Sequence, residues 1–224
     1  MKNVVLIENR LNRMTLLCDK KSLNLKLFEQ LKIYSTEEIK ALFKEIESKN
    51  FDRLDDYEIV MTHQSAWSQV QLSSLKGYCK KKNKPLVLFS GGVSNSHLDV
   101  EQPPILTLDV DKFYSERLVL FLDHFFENGI SNLMLLQYGD KWKLNLLMEA
   151  RNNLSVYLSK NEGVEYLYYP KDEVDIPKAL FSMSEELGLD MEWYENGIKE
   201  EAESVLKGLK GQLTKAIKRE VFSL

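Results

Sequence analysis

Three short apolar runs, each cut off by polar residues, constrain this chain more than anything else in it. Val4-Val5-Leu6-Ile7 stops at Glu8-Asn9, Ile59-Val60-Met61 at Thr62-His63, and Pro85-Leu86-Val87-Leu88-Phe89 at Ser90-Gly91. A continuous apolar run of this length suits a strand buried on both faces, as in a parallel sheet covered by helices. The stretches between the runs supply those helices. Leu11, Met14, Leu16 and Leu17 mark a first one. Ser35 with Glu38 predicts a capping box, Tyr34 a hydrophobic staple, and Ile39, Leu42, Phe43 and Ile46 one apolar helical face. Trp67 to Lys81 and Glu116 to Phe126 predict two more helices. Two further strands are expected at Leu23 to Phe28, where leucines alternate, and at Pro104 to Leu108.

Strands alternating with helices at this interval predict an α/β fold, a five-stranded doubly wound parallel sheet. Right-handed crossovers bring all strand C-termini to one edge, where such sheets hold ligands and switch residues. The three polar terminations meet there.

After about residue 130 the pattern turns helical. Trp142, Leu146, Leu147, Ala150, Leu154, Tyr157 and Leu158 recur at helical spacing up to Asn161-Glu162-Gly163. Glu165 to Tyr169 predicts a short extended segment, Asp175 with Pro177 a helix start, and Gly188 a stop. A last helix carries Val205, Leu206, Leu209, Leu213, Ala216, Ile217 and Val221 on one side. Its acids (Glu200, Glu201, Glu203) come early and its bases (Lys215, Lys218, Arg219) late, as the helix dipole prefers. The expected division is an α/β domain over residues 1–127 and a mostly α-helical domain or extension over 128–224.

The 224 residues can hold one large domain or two small ones, and a net charge of -4 gives no bulk pull toward nucleic acid or anionic membrane. No apolar stretch approaches the roughly 20 residues that cross a bilayer, and the N-terminus lacks signal-peptide anatomy. Cys18 and Cys79 are expected to be buried free thiols in a reducing compartment, although a disulfide stays open on count alone. A cytoplasmic location follows as the expectation. Lys80, Lys81, Lys82 and Lys84 form the densest basic cluster, at a helix end where cations are favourable without any ligand. No helix-turn-helix pattern accompanies it, so nucleic acid is not the expected partner.

The order and spacing of the strand ends resemble the response-regulator receiver family over residues 1–127. That resemblance implies an acidic pair after the first strand that holds magnesium. It also implies a phospho-accepting aspartate ending the third strand, a hydroxyl after the fourth, and a lysine after the fifth. Glu8 and Asn9 stand at the acidic pair, and a neutral amide carbonyl is a poor substitute where a hard dication wants charged oxygens. His63 stands at the acceptor, or Thr62 if the register slips by one. Ser90 matches the hydroxyl. Asp111-Lys112-Phe113 occupies the lysine region, with Lys112 displaced by one position, the usual proline missing, and Leu118 beyond.

An aspartyl phosphate needs a carboxylate nucleophile, a metal and a steadying cation. The resemblance therefore implies a pseudo-receiver: a non-catalytic regulatory or assembly module without an obligatory cofactor. Its helical C-terminal region would meet a protein partner or a second copy. Three alternatives stay open. One is a divergent response regulator phosphorylated on an unusual residue, with Glu8 and Ser90 in their ordinary roles. Another is a magnesium-dependent, Toprim-like phosphoryl-transfer or nuclease domain using Glu8, Asp109 and Asp111, because strand alternation would put the two aspartates on one side. The third is a DNA-binding regulator with its reading head in residues 140–224. Each site also has a plainer reading: Glu8 as a polar strand end, His63 as a hydrogen-bonded loop histidine, and Ser90-Gly91-Gly92, whose backbone N–H groups could bind an anion, as a tight turn.

Overall fold

A computed structural model describes residues 3–94, 96–126, 130–162, 174–192 and 202–223. They belong to two compact units, residues 1–140 and 141–224.

The first unit is built on a sheet of β1 (Val4–Ile7), β2 (Leu31–Ile33), β3 (Ile59–His63), β4 (Leu86–Ser90), β5 (His97–Asp99) and β6 (Ile105–Asp109). The spatial order is β2-β1-β3-β4-β6-β5. All neighbours pair parallel except β5, which runs antiparallel on β6. The α/β, mostly parallel sheet is as expected, but among the described residues it has six strands and not five. The additional strand is three residues long with only Leu98 buried, too short for an alternation to be read.

The second strand also needs correction. Leu25–Leu27 is a single 3-10 turn, started by the Asn24 side chain accepting the Lys26 N–H at 3.3 Å, and the strand begins only at Leu31. A side-chain-capped turn and a strand can both show leucines two apart, and here the local hydrogen bond decides. The centre of the sheet is fully enclosed: every residue of β1 is 0% exposed. On one side Val5, Ile7, Val60 and Leu88 pack with Ile39, Leu42 and Leu75. Each such aliphatic side chain contributes about 1.5–3 kcal/mol on burial.

The helices of this unit are α1 (Leu11–Lys20), α2 (Thr36–Glu47), α3 (Gln69–Lys82), α4 (Val110–Phe113), α5 (Glu116–Asp123) and α6 (Ser131–Tyr138). Ser35 Oγ accepts the Glu38 N–H at 3.2 Å while the Glu38 carboxylate accepts the Ser35 N–H at 2.8 Å, the expected capping box. Burial alone would raise the Glu38 pKa, but hydrogen bonds from Lys32 and Ser35 hold it below the usual carboxylate value. A second capping box, Ser68 with Gln71, starts α3 at Gln69, two residues later than the apolar pattern suggests. The α6 helix has no amphipathic signature, because Asn132 through Tyr138 are all buried. It packs on α5, so the compact unit ends after Asp140 and not after residue 127.

The basic cluster before β4 is split by the fold. Asn83 closes α3 in the left-handed conformation at φ 54°, and Lys84 turns inward. Its Nζ donates to the carbonyls of Leu54 (3.0 Å), Asp55 (2.8 Å) and Tyr57. Lys82 pairs with the Asp55 carboxylate at 3.0 Å, while Lys80 and Lys81 stay exposed. These contacts lie at the N-terminal edge of the sheet, where β3 and β4 begin.

The second unit contains α7 (Trp142–Lys160), α8 (Lys178–Ser182), α9 (Ser184–Leu187) and α10 (Ala202–Phe222). The buried faces of α7 and α10 pack together, Leu146, Ala150 and Leu154 on one and Leu206, Leu209 and Leu213 on the other. Arg151 Nε donates to Thr214 Oγ1 between them at 3.0 Å. Pro177 directly precedes α8, and Gly188 ends α9 at φ 62°, where Arg219 also donates to the Leu187 carbonyl at 2.9 Å. The expected extended segment at Glu165 to Tyr169, and Glu200 and Glu201, lie outside the described residues. No helix among the described residues is long and apolar enough to cross a membrane.

Candidate functional site

The strand order reverses between β1 and β3, and in open α/β sheets the crevice beyond the C-terminal ends of such strands is where ligands bind. Register fixes what meets there. Ile7 pairs with Thr62, His63 with Phe89, and Ser90 with Asp109. Glu8, His63, Ser90 and Asp109 therefore share one edge.

Glu8 is 1% exposed. One carboxylate oxygen accepts the Arg10 N–H at 2.8 Å, and the other accepts the Tyr114 hydroxyl at 3.1 Å. Burial, and then the Glu8 charge, push the Tyr114 phenol far above its ordinary pKa, so it stays a neutral donor. Asn9 is exposed. The two neighbours thus sit in opposite environments, one enclosed and one in solvent.

His63 is not a loop residue. The strand runs on past Met61, and His63 ends it at 2% exposure. Thr62 is fully occupied in holding that strand end: its hydroxyl donates to the Ile7 carbonyl at 3.0 Å and accepts from Trp67 Nε1 at 2.7 Å. The His63 ring stands edge-on to Phe89, with centroids 5.4 Å apart. Its Nδ1 receives the Ser65 N–H at 3.2 Å and contacts Ser65 Oγ at 2.7 Å. A backbone N–H can only donate, so Nδ1 is the acceptor and the neutral ring carries its proton on Nε2. That Nε2 is buried and has no hydrogen-bond partner among the described residues. Burial lowers the His63 pKa, the Glu8 carboxylate opposes this, and Arg10 and Arg13 lower it further.

Ser90 is half-buried at the end of β4, and its Oγ accepts the Gly92 N–H at 3.4 Å, a turn contact at the long limit of hydrogen bonding. Asp109 and Asp111 do not share a strand face. Asp109 ends β6 and caps α4 by accepting the Asp111 N–H at 2.8 Å, and Asp111 lies in that helix, 3.7 Å from Lys21 Nζ. Strand alternation does not extend into a helix, which corrects the expected pairing. Among the described residues, no three His, Cys, Asp or Glu side chains are grouped so as to hold a metal ion. Lys112 is exposed and donates to Ser96 Oγ at 3.3 Å, so it engages the loop before β5.

Sequence reasoning missed Arg10, Arg13 and Tyr114. A Cβ added at Gly91 would lie 3.1 Å from Arg13 Nη2, so a glycine here lets the guanidinium lie against the loop after β4. Neither guanidinium makes an ion pair or hydrogen bond among the described residues. A signal was available: Arg10 is the N-cap of α1 and Arg13 lies in its first turn, which holds no acid. Cations at a helix N-terminus run against the dipole, and a broken local rule points to function. A separate cavity of about 560 Å³, lined by Met14, Cys18, Leu25 and Ile33 among others, shares no residue with this edge. Comparison of the chain with protein-family models, curated proteins and solved structures gave no match.

Proposed function

We propose that this protein is a receiver-like regulatory or assembly module that acts through protein–protein contact and transfers no phosphoryl group. The five parallel strands, β2-β1-β3-β4-β6, follow the 2-1-3-4-5 order of flavodoxin-like sheets when counted among themselves in chain order, which supports the comparison with receivers. One observation carries the functional step. At the acceptor position stands His63, buried and held by Ser65, beside a Glu8 whose two oxygens already accept from Arg10 and Tyr114. An acyl phosphate forms when a free carboxylate oxygen attacks phosphorus, and this edge offers none in the acceptor position. Lys112, the cation that would steady the product, is engaged with Ser96. In this reading residues 141–224 meet a protein partner or a second copy.

The test is thermal melting with magnesium, with beryllofluoride, and with both. A ligand at a hundred times its dissociation constant adds about 2.7 kcal/mol, which shifts a chain of this size by roughly 5 °C. The expected result is no shift in any arm. A shift that needs both reagents overturns the reading, because it requires a carboxylate acceptor. Light scattering on the eluting full chain then separates a second copy from a foreign partner.

A further inference from the structure

We propose that the edge between the start of α1 and the Ser90–Gly92 loop binds a phosphate-bearing small molecule without covalent chemistry. Arg10 and Arg13 meet its charge, and the His63 ring N–H meets one of its oxygens. The proposal rests on the reading above in one respect: a bound anion takes the place of covalent phosphate as the signal.

Three independent features converge on it. The first is two guanidinium groups that make no hydrogen bond or ion pair among the described residues, with Arg13 lying against the Ser90–Gly92 loop, where a Cβ added at Gly91 would be 3.1 Å from its Nη2. Unpaired arginines are suited to phosphate, whose oxygens accept their forked donors bidentately. The second is the orphaned His63 Nε2, a buried donor at 2% residue exposure. Buried donors without acceptors are rare and call for an explanation, and an absent anion is one. The third is α1 itself, ten residues long, whose N-terminus has no side-chain cap and no first-turn acid. Its first N–H groups lack intrahelical partners and favour negative charge.

Glu8 and Asp109 are the opposing charges at this edge. The Glu8 oxygens are held by the Arg10 N–H and the Tyr114 hydroxyl. Asp109, in register with Ser90, is the second carboxylate of the edge, and it caps α4 by accepting the Asp111 N–H at 2.8 Å, so neither acid is directly paired with Arg10 or Arg13. Donors arriving from two helix side chains and from a strand end suit a tetrahedral dianion better than a planar carboxylate.

Calorimetric titration of the full chain with inorganic pyrophosphate and with orthophosphate, in magnesium-free buffer, tests this. Pyrophosphate is expected to bind saturably, one per chain. Arg10→Gln and Arg13→Gln should each weaken it by roughly tenfold or more, the effect of losing a charge-assisted contact. Lys80→Gln and Lys81→Gln, exposed at the other edge, should leave it unchanged. The His63 Nε2 resonance should move on binding, a readout independent of any substitution. Orthophosphate binding as tightly as pyrophosphate identifies a single phosphate as the ligand group. Clearly tighter pyrophosphate identifies a diphosphate.

The proposal is overturned by any of three results: no saturable binding at millimolar concentration, equal weakening by the lysine variants, or an unmoved His63 signal in the saturated complex. A chain that neither binds pyrophosphate nor responds to beryllofluoride with magnesium loses this ligand and keeps the module reading. A response to beryllofluoride with magnesium removes that reading, whatever pyrophosphate does.

Discussion

The two edges of the sheet treat cations in opposite ways. At the N-terminal edge the Lys84 ammonium is buried and donates to three carbonyls, those of Leu54, Asp55 and Tyr57. At the C-terminal edge Arg10 and Arg13 have no hydrogen-bond or ion-pair partner, and a buried histidine N–H no acceptor, among the described residues. The first edge is complete as it stands, and its cation ties loop to strand. The second holds donor capacity that the fold itself does not use. A cation at a strand end is thus no guide to function until its acceptors have been counted.

The comparison breaks most readily at Lys84. Lys84→Met leaves three strand-edge carbonyls without their donor, and denaturant unfolding should show a loss of about 2–4 kcal/mol. Lys80→Met, exposed on α3, should change stability by less than about 0.5 kcal/mol. An equal effect at both positions would show that the inward lysine holds nothing together.

A smaller effect is expected at His63, read through pH. Its folded pKa is depressed below the ordinary value of 6.5, chiefly by burial, so the unfolded chain takes up the proton more readily. Its contribution to stability is complete above pH 6.5 and is lost as the pH falls from there through the lower folded value. Unfolding free energies measured from pH 7.5 downward should decline in that window, and His63→Gln should flatten the decline. A profile unchanged by the substitution would place the acid sensitivity elsewhere.

The smallest effect sharpens the contrast. If the two guanidiniums do no structural work, Arg10→Gln and Arg13→Gln should alter stability by no more than about 0.5 kcal/mol, with a slight gain where a cation opposes the dipole of α1. Chemical denaturation of the ligand-free chain measures this. A loss of 2 kcal/mol or more, on the order of a buried charge contact, would make Arg13 a counterpart of Lys84.

Legibility followed the physics of each element. β1, β3 and β4 were visible because strands covered on both faces are written as continuous apolar runs, and β6, buried only at alternate residues, because it follows a proline as a short apolar run. β2 was misplaced because the Asn24 turn imitates an alternation, and α6 left no trace because a helix buried on every side has no period to detect. The same division runs through the site. Glu8, His63 and Ser90 end apolar runs and could be picked out one by one. Tyr114 reaches Glu8 from 106 positions away, a contact that only tertiary structure supplies. Asp111 and Lys112 were placed by analogy with a strand end, and the α4 helix carries both into other surroundings.

The Thr62 hydroxyl, described above as a fastening for the end of β3, also gives the chain an optical gauge. It holds the indole N–H of Trp67, whose ring stands against Phe43 of α2 with centroids 5.0 Å apart. The indole lies four residues from His63, on the segment that leads into α3. Any displacement of His63 that strains the Thr62 hydroxyl alters the polarity felt by this buried indole. With Trp142 and Trp193 replaced by Phe, the remaining tryptophan emission can therefore follow events at the switch point in real time, without an attached dye.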